Sequence, residues 1–221
     1  MPAFGKTRLQ IVNAVLPRLR EAEVATTSTT VYSLFIAKLL DSVKTEIEQA
    51  HQWRDLRNTF ALTCTVGTTL YSFTSSGQYA RIMDMWNTSV PQQMALGSFS
   101  DFNQKFFGVT TVETGHPTQY LPAGLDSSFD TQVDIWPSPS TTDAIKVNLY
   151  VPEPDPPTDA TVILCPNQVL IEGIIALALA ERGDDNGTAV DKQTMLYEQM
   201  LRSAIAADTG HDNSETDWII R

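Results

Sequence analysis

Val169-Leu-Ile-Glu-Gly-Ile-Ile-Ala-Leu-Ala-Leu-Ala180 is apolar on nearly every side when wound at 3.6 residues per turn. A helix of this kind has no face suited to water, so it must lie between other elements and is the expected central helix of the fold. It is too short to span a bilayer and it carries Glu172. Its packing partners decide the architecture.

Two amphipathic segments near the start of the chain supply them. Over residues 7–20, Leu9, Val12, Val15, Leu16 and Leu19 recur at spacings of three and four, opposite Arg8, Arg18 and Arg20. After the hydroxyl-rich run Thr26–Thr30, which suits an N-cap, Val31, Phe35, Leu39, Val43 and Ile47 recur every four residues and predict a second helix to about Trp53. Beyond the central segment, Gly183-Asp-Asp-Asn-Gly187 predicts a turn and Thr188 with Asp191 a capping box. Met195, Leu196, Met200, Leu201 and Ala204 are then expected to line a fourth helix.

Between these ends the period changes to two. Phe60–Val66 and Thr69–Phe73, separated by Gly67, are expected as a first pair of strands; 81–86, 133–136 and 145–151 alternate as half-buried strands, with a sixth near 118–120. Residues 98–107 predict a short helix whose aromatics cover one face of a compact antiparallel sheet. Four prolines within 152–157 mark a boundary. The expected fold is α+β: a four-helix bundle formed by N- and C-terminal helices, with an inserted antiparallel β domain. Residues 1–55 and 162–208 form the helical part, 56–161 the β insertion and 209–221 a C-terminal tail.

Composition is that of a folded globular chain, with 42% hydrophobic and 19% charged residues among 221. Net charge is −11 and unevenly spread: residues 1–120 carry ten Lys/Arg against nine Asp/Glu, residues 121–221 five against seventeen. Lys6, Arg8, Arg18 and Arg20 make the first twenty residues a positive pole, a polarity suited to contacts between unlike faces of neighbouring copies. They also interrupt any signal-peptide core, so a soluble product made in the cytoplasm is expected. An acidic second half repels phosphates and argues against specific duplex binding; around a DNA channel it would keep DNA from sticking.

Candidate chemistry is sparse. His51, His116 and His211 share no metal-binding spacing, and Cys64 and Cys165 stand a hundred residues apart outside any nucleophile motif, as buried reduced thiols. Asp184-Asp185-Asn186-Gly187 lacks the ligand alternation of a calcium loop. Glu153, Asp155 and Asp159 sit in a proline-rich segment ill suited to shifting a carboxylate pKa, and the eleven glycines form no phosphate loop. Neither a catalytic residue nor a cofactor or metal site is expected.

Three stretches taken in order resemble the head-to-tail adaptor family of tailed bacteriophages, the neck or tail tubular protein A-like adaptors. They are Leu39–Leu56, a helix with Trp53 just before the first strand; Gly115-His-Pro-Thr-Gln-Tyr120, followed by Val133-Asp-Ile-Trp-Pro-Ser-Pro139 and the strand to Tyr150; and Leu170–Asp208, with Ala178-Leu-Ala-Glu-Arg-Gly-Asp-Asp185 between two helices. The resemblance implies a non-enzymatic virion protein: a homo-dodecameric ring beneath the portal protein that joins it to the tail nozzle or other tail proteins. DNA would pass through its channel without sequence-specific binding, and no membrane would be involved. It also implies a C-terminal segment reaching the portal, and Trp218, Ile219, Ile220 and Arg221 after a polar spacer form an anchor of the kind that fills a partner's pocket. The rival expectations are a tail-tube or head-decoration protein, and a virion-associated hydrolase using acids such as Glu113, Asp126, Asp130, Asp134 or Glu153.

Overall fold

The structure, a computed structural model, describes residues 5–74, 76–77, 80–183 and 188–216, with side chains through residue 210. The chain is α+β and divides into two compact units, one of residues 1–55 with 153–221 and the other of residues 56–152.

In the first unit, helix α1 (Arg8–Val15) opens on a capping box between Thr7 and Gln10. It tightens into a 3-10 turn (Leu16–Leu19) at Pro17, and the turn ends at Arg20, which adopts a left-handed backbone with φ of 63°. Helix α2 (Val31–Ala50) starts on the hydroxyl of Thr30 and buries Ile36, Ala37, Leu40, Val43 and Ile47. The predicted helix to Trp53 stops three residues sooner, and the Trp53 indole folds back to donate to the Ile47 carbonyl.

The apolar segment becomes helix α4 (Asn167–Arg182), whereas α3 (Phe99–Phe107) lies in the second unit. Every residue from Val169 to Ala176 is buried, so more than two turns show no face to solvent. It packs on α1 and the turn that follows, on α2, and on helix α5 (Thr188–Thr216). The closest approach is at Gly173: a Cβ there would lie 2.6 Å from Val43 Cγ1 and 2.9 Å from the Tyr197 ring. A glycine in mid-helix costs about 1 kcal/mol in propensity; here it lets three helices meet.

Three expectations are corrected in this unit. Met195 and Leu196 do not line the packed face of α5: they are 71% and 38% exposed, and Tyr197, one position on, is the buried residue. The helix turns toward α4 the side that carries Gln193 and Tyr197, because a hydrogen-bond partner, Glu172, waits there. Second, Glu153–Thr161 belongs to the helical unit, not to the β part. Prolines leave this stretch few N–H groups of its own, and its acceptors are filled from the helices: Lys44 Nζ donates to the Glu153 carbonyl at 2.6 Å, Arg8 to the Pro156 carbonyl at 2.9 Å, and Thr27 to Asp159. Likewise α5 runs on to Thr216, past the point where a tail was expected.

The second unit holds two four-stranded sheets. One has the order β1 (Arg57–Thr63), β10 (Ala144–Tyr150), β3 (Arg81–Asn87), β4 (Gln92–Gln93); the other has β2 (Leu70–Ser72), β8 (Thr131–Trp136), β7 (Gln119–Leu125), β5 (Ala95–Leu96). A short parallel pair joins β6 (Thr114–Gly115) to β9 (Ser138–Pro139). Alternation works as expected in β8 and β10, burying Val133, Ile135, Ile145, Val147 and Leu149. With Met85, Tyr120, Phe73, Met94 and Cys64 they form one core fed by both sheets.

The single sheet is therefore corrected to two, and β1 does not pair with β2. Between them the chain crosses from one sheet to the other: Gly67, at φ of +77°, donates to the Pro139 carbonyl, and the Tyr71 hydroxyl accepts from Thr65 N and donates to the Thr68 or Thr65 carbonyl. That crossing is a tertiary decision, invisible in a glycine-marked turn. Helix α3 starts on a Ser98 cap and is pinned by Lys105, which bonds Asp101 and Gln119 and lies 4.1 Å over the Trp136 ring.

Gly173→Ala tests the α4 contact. Propensity alone would stabilise the helix by about 1 kcal/mol, whereas overpacking against Val43 costs about 1–3 kcal/mol. Urea denaturation should show a net loss of stability.

Candidate functional site

Each predicted chemical group has a place. His51 Nε2 lies 2.9 Å from Asp208, which also accepts from Arg54 N, and its ring meets Trp53 edge-on at 5.0 Å. His116 Nδ1 lies 3.0 Å from the carboxylate of Asp143, and Asp143 is 1% exposed. Behind it, Asn87 donates to Asp143 at 3.2 Å and to the Pro117 carbonyl, and Thr141 donates to Asp143 at 3.2 Å. This is an oriented imidazole on a buried carboxylate, the arrangement that spacing in sequence could not show because Asn87, His116 and Asp143 come from three separate segments. Among the described residues its Nε2 has no hydrogen bond to a hydroxyl or thiol, so the pair is not joined to a nucleophile.

Cys64 and Cys165 are each 1% exposed. Burial, followed by the Asp143 carboxylate, pushes the Cys64 thiol up to about 11, and burial with Glu48 pushes Cys165 up as well. Both thiols are held in their unreactive form.

The three carboxylates of the proline-rich stretch do not converge as an acid pair. Glu153 accepts from Leu164 N, and Asp159 is held below the usual carboxylate range by hydrogen bonds from the Thr27 hydroxyl and amide. Of the acids considered for a hydrolase, Asp126 receives the amides of Ser128 and Asp130 at a hairpin tip, and its carboxyl is lowered by them. Asp130 accepts from Gly77 N. Asp134 lies in a cleft of about 490 Å³ between α3 and the sheet face, beside Phe102, Phe106 and Leu121, and burial raises its carboxyl. These acids are dispersed among separate local structures. Among the described residues no three His, Cys, Asp or Glu side chains could hold a metal ion, and no helix is long and apolar enough to cross a membrane. Asp184–Gly187 and the anchor Trp218, Ile219, Ile220 and Arg221 lie outside the described residues, as does the His211 side chain.

Two polar centres were not singled out from sequence. Glu172, 3% exposed on α4, accepts from Arg18, Gln168 and Gln193, each at 2.6 Å. Burial would raise its carboxyl, but the three donors outweigh it and hold the group below the ordinary value. Lys44 and Glu48, 1% and 2% exposed, form an ion pair at 3.1 Å, closed by the Glu153 carbonyl and by the Cys165 thiol at 3.6 Å from Glu48. Here burial wins, and the Glu48 carboxyl is raised despite Lys44. For Glu172 the signal was a charged residue on a strongly apolar helical stripe; Lys44 and Glu48 are read from their spacing, with Asp41 and Glu46, as the solvated face of the second helix, and the structure corrects this by burying both.

These clusters join segments distant in sequence: the turn after α1 to α4, α2 to the proline-rich stretch, α4 to α5. They also use charges that the opening segment was expected to present outward. Arg8 is bound to Asp41 at 2.7 Å and Arg18 to Glu172, so that positive pole is partly neutralised within its own unit. The surfaces left for other molecules include exposed apolar side chains, with Val31 at 89%, Met195 at 71%, Phe107 at 84% and Phe99 and Phe129 each at 65%.

Lys44→Met should destabilise the helical unit by about 3–5 kcal/mol at neutral pH, since it leaves Glu48 buried without its counter-charge. A carboxyl whose folded pKa is raised binds its proton more tightly when folded, so stability rises as pH falls through that value. The variant's deficit in urea denaturation should therefore shrink between neutral and mildly acidic pH. No protein-family model matches the chain, and no curated protein matches it.

Proposed function

We propose that this chain is a structural virion protein of a tailed bacteriophage, an adaptor that forms a ring, as a homo-dodecamer, beneath the portal. In this reading the two terminal helix pairs act as a four-helix bundle, the β part is an insertion carried by it, and the ring joins portal to tail while continuing the DNA channel. The protein acts by position and shape, not as an enzyme.

The observation that carries this reading is the enclosure of α4 by helices from both ends of the chain. A tail-tube or decoration subunit built on the β sandwich alone would have no need of an all-apolar helix, nor of a buried carboxylate, Glu172, that ties it to Arg18 and to Gln193 of α5. The order of motifs from Leu39 to Asp208 supplies the resemblance. An acidic balance, seventeen Asp/Glu against five Lys/Arg over residues 121–221, suits a wall past which DNA slides, because like charges oppose the counterion release that drives binding. The anchor for the portal is the Trp218–Arg221 segment, whose apolar side chains follow a polar spacer.

Purified protein mixed with its portal and viewed by electron microscopy should add a ring of density to one face of the portal. Free portals after mixing would dispose of the adaptor reading. Removing residues 212–221 should weaken portal binding at least about tenfold, the loss expected of a buried aromatic hot spot of roughly 2 kcal/mol; undiminished binding would remove the anchor while leaving the ring.

A further inference from the structure

Helix α3 and the strands beneath it enclose a cleft of about 490 Å³, walled by Phe99, Phe102, Phe106, Phe107 and Leu121, with Asp134 among them. Leu121 and Asp134 are register partners on β7 and β8, and Gln119 with Trp136 is the next pair on the same face of those strands. At that neighbouring pair a cation already fills the space. Lys105 of α3 places its Nζ 4.1 Å from the centre of the Trp136 ring and bonds Asp101 and Gln119, so its charge is balanced there.

One step along the strands the same ingredients recur without the cation. Aromatic rings share the cleft with a half-buried carboxylate, and among the described residues Asp134 has neither an ion pair nor a side-chain hydrogen bond. Its carboxyl is raised by burial, with no positive group near enough to lower it. A carboxylate withdrawn from water without a counter-charge is unfavourable, and the faces of aromatic rings carry negative potential. Both features favour a positive guest. The volume is that of a small-molecule site. Besides Asp134, the polar residues of the wall are Thr69 and Asn103, too few for the five N–H groups of a guanidinium but sufficient for an ammonium, and an alkylated ammonium needs fewer still.

We propose that this cleft binds a small organic ammonium ion carried on an apolar body, with Asp134 as its counter-charge and the α3 phenylalanines against its alkyl groups. The aromatic faces and the carboxylate together select a cation over an uncharged guest of the same size. Nothing in this site depends on a ring or a portal.

The test uses the full chain, with hexyltrimethylammonium as the probe and hexan-1-ol as its uncharged counterpart, in isothermal titration calorimetry. The ammonium should bind at least about tenfold tighter than the alcohol. Asp134→Asn keeps the shape and removes the charge; it should weaken ammonium binding about tenfold and leave the alcohol unaffected, which also reports an intact cleft. Phe99 and Phe107 are 65% and 84% exposed, so Phe99→Leu with Phe107→Leu leaves the fold alone and keeps the test valid should Asp134→Asn disturb it. That pair should weaken the ammonium about fivefold and the alcohol less. Three results overturn the proposal. Equal affinity for the two probes, or none for either, shows that the cleft does not select a cation. Ammonium binding that survives both sets of substitutions places the cation elsewhere on this acidic chain. Tighter binding of Nα-acetyl-lysine methylamide than of hexyltrimethylammonium means that the cleft takes a lysine side chain of another protein. None of these bears on whether density appears on the portal.

Discussion

The fold of the helical unit depends on the burial of α4. Eight successive residues, Val169 to Ala176, face protein on all sides, and each large aliphatic side chain removed from water contributes about 1.5–3 kcal/mol. No single neighbouring helix can cover a cylinder, so the chain must bring α1 and α2 from one end and α5 from the other. Gly173 sets how near they come, since any side chain there would meet Val43 and Tyr197. The need to enclose one greasy helix makes residues more than a hundred positions apart neighbours.

Enclosure creates an electrostatic difficulty, because Glu172, Lys44 and Glu48 go in with the apolar residues. A buried charge is costly unless it is paired and hydrogen-bonded. Glu172 has three donors and settles as a carboxylate; Glu48 has Lys44 but a stronger burial penalty, and its carboxyl is raised. These clasps make the arrangement of helices specific in a way that apolar packing does not, since shifting α5 or the proline-rich stretch by one residue would strand a charge. They also consume Arg8 and Arg18, charges that would otherwise be available to a partner.

The β unit solves its own core with two sheets and leaves different resources at the surface. His116 is oriented by a buried Asp143, and among the described residues the pair is joined to no hydroxyl or thiol.

Local periodicity determined a good deal. The spacing of apolar residues in 7–19, the uniform greasiness of 169–180 and the alternation in 133–136 and 145–151 each report how one element meets a core, and side-chain direction follows from backbone geometry alone; in 31–47 the spacing marks the helix, but its packed face carries Ile36, Ala37 and Leu40, and Val31 is exposed. The existence and type of these elements, and the helix–sheet–helix order, were therefore legible. Only tertiary structure decided which strands pair, that β1 and β2 belong to different sheets, that Tyr197 and not Met195 faces inward, and that 153–161 joins the helices. It likewise assembled Asn87, His116 and Asp143, and gave Glu172 its three donors. Those outcomes depend on contacts between residues far apart in the chain, where a pattern of period two or 3.6 carries no information about the partner across the gap.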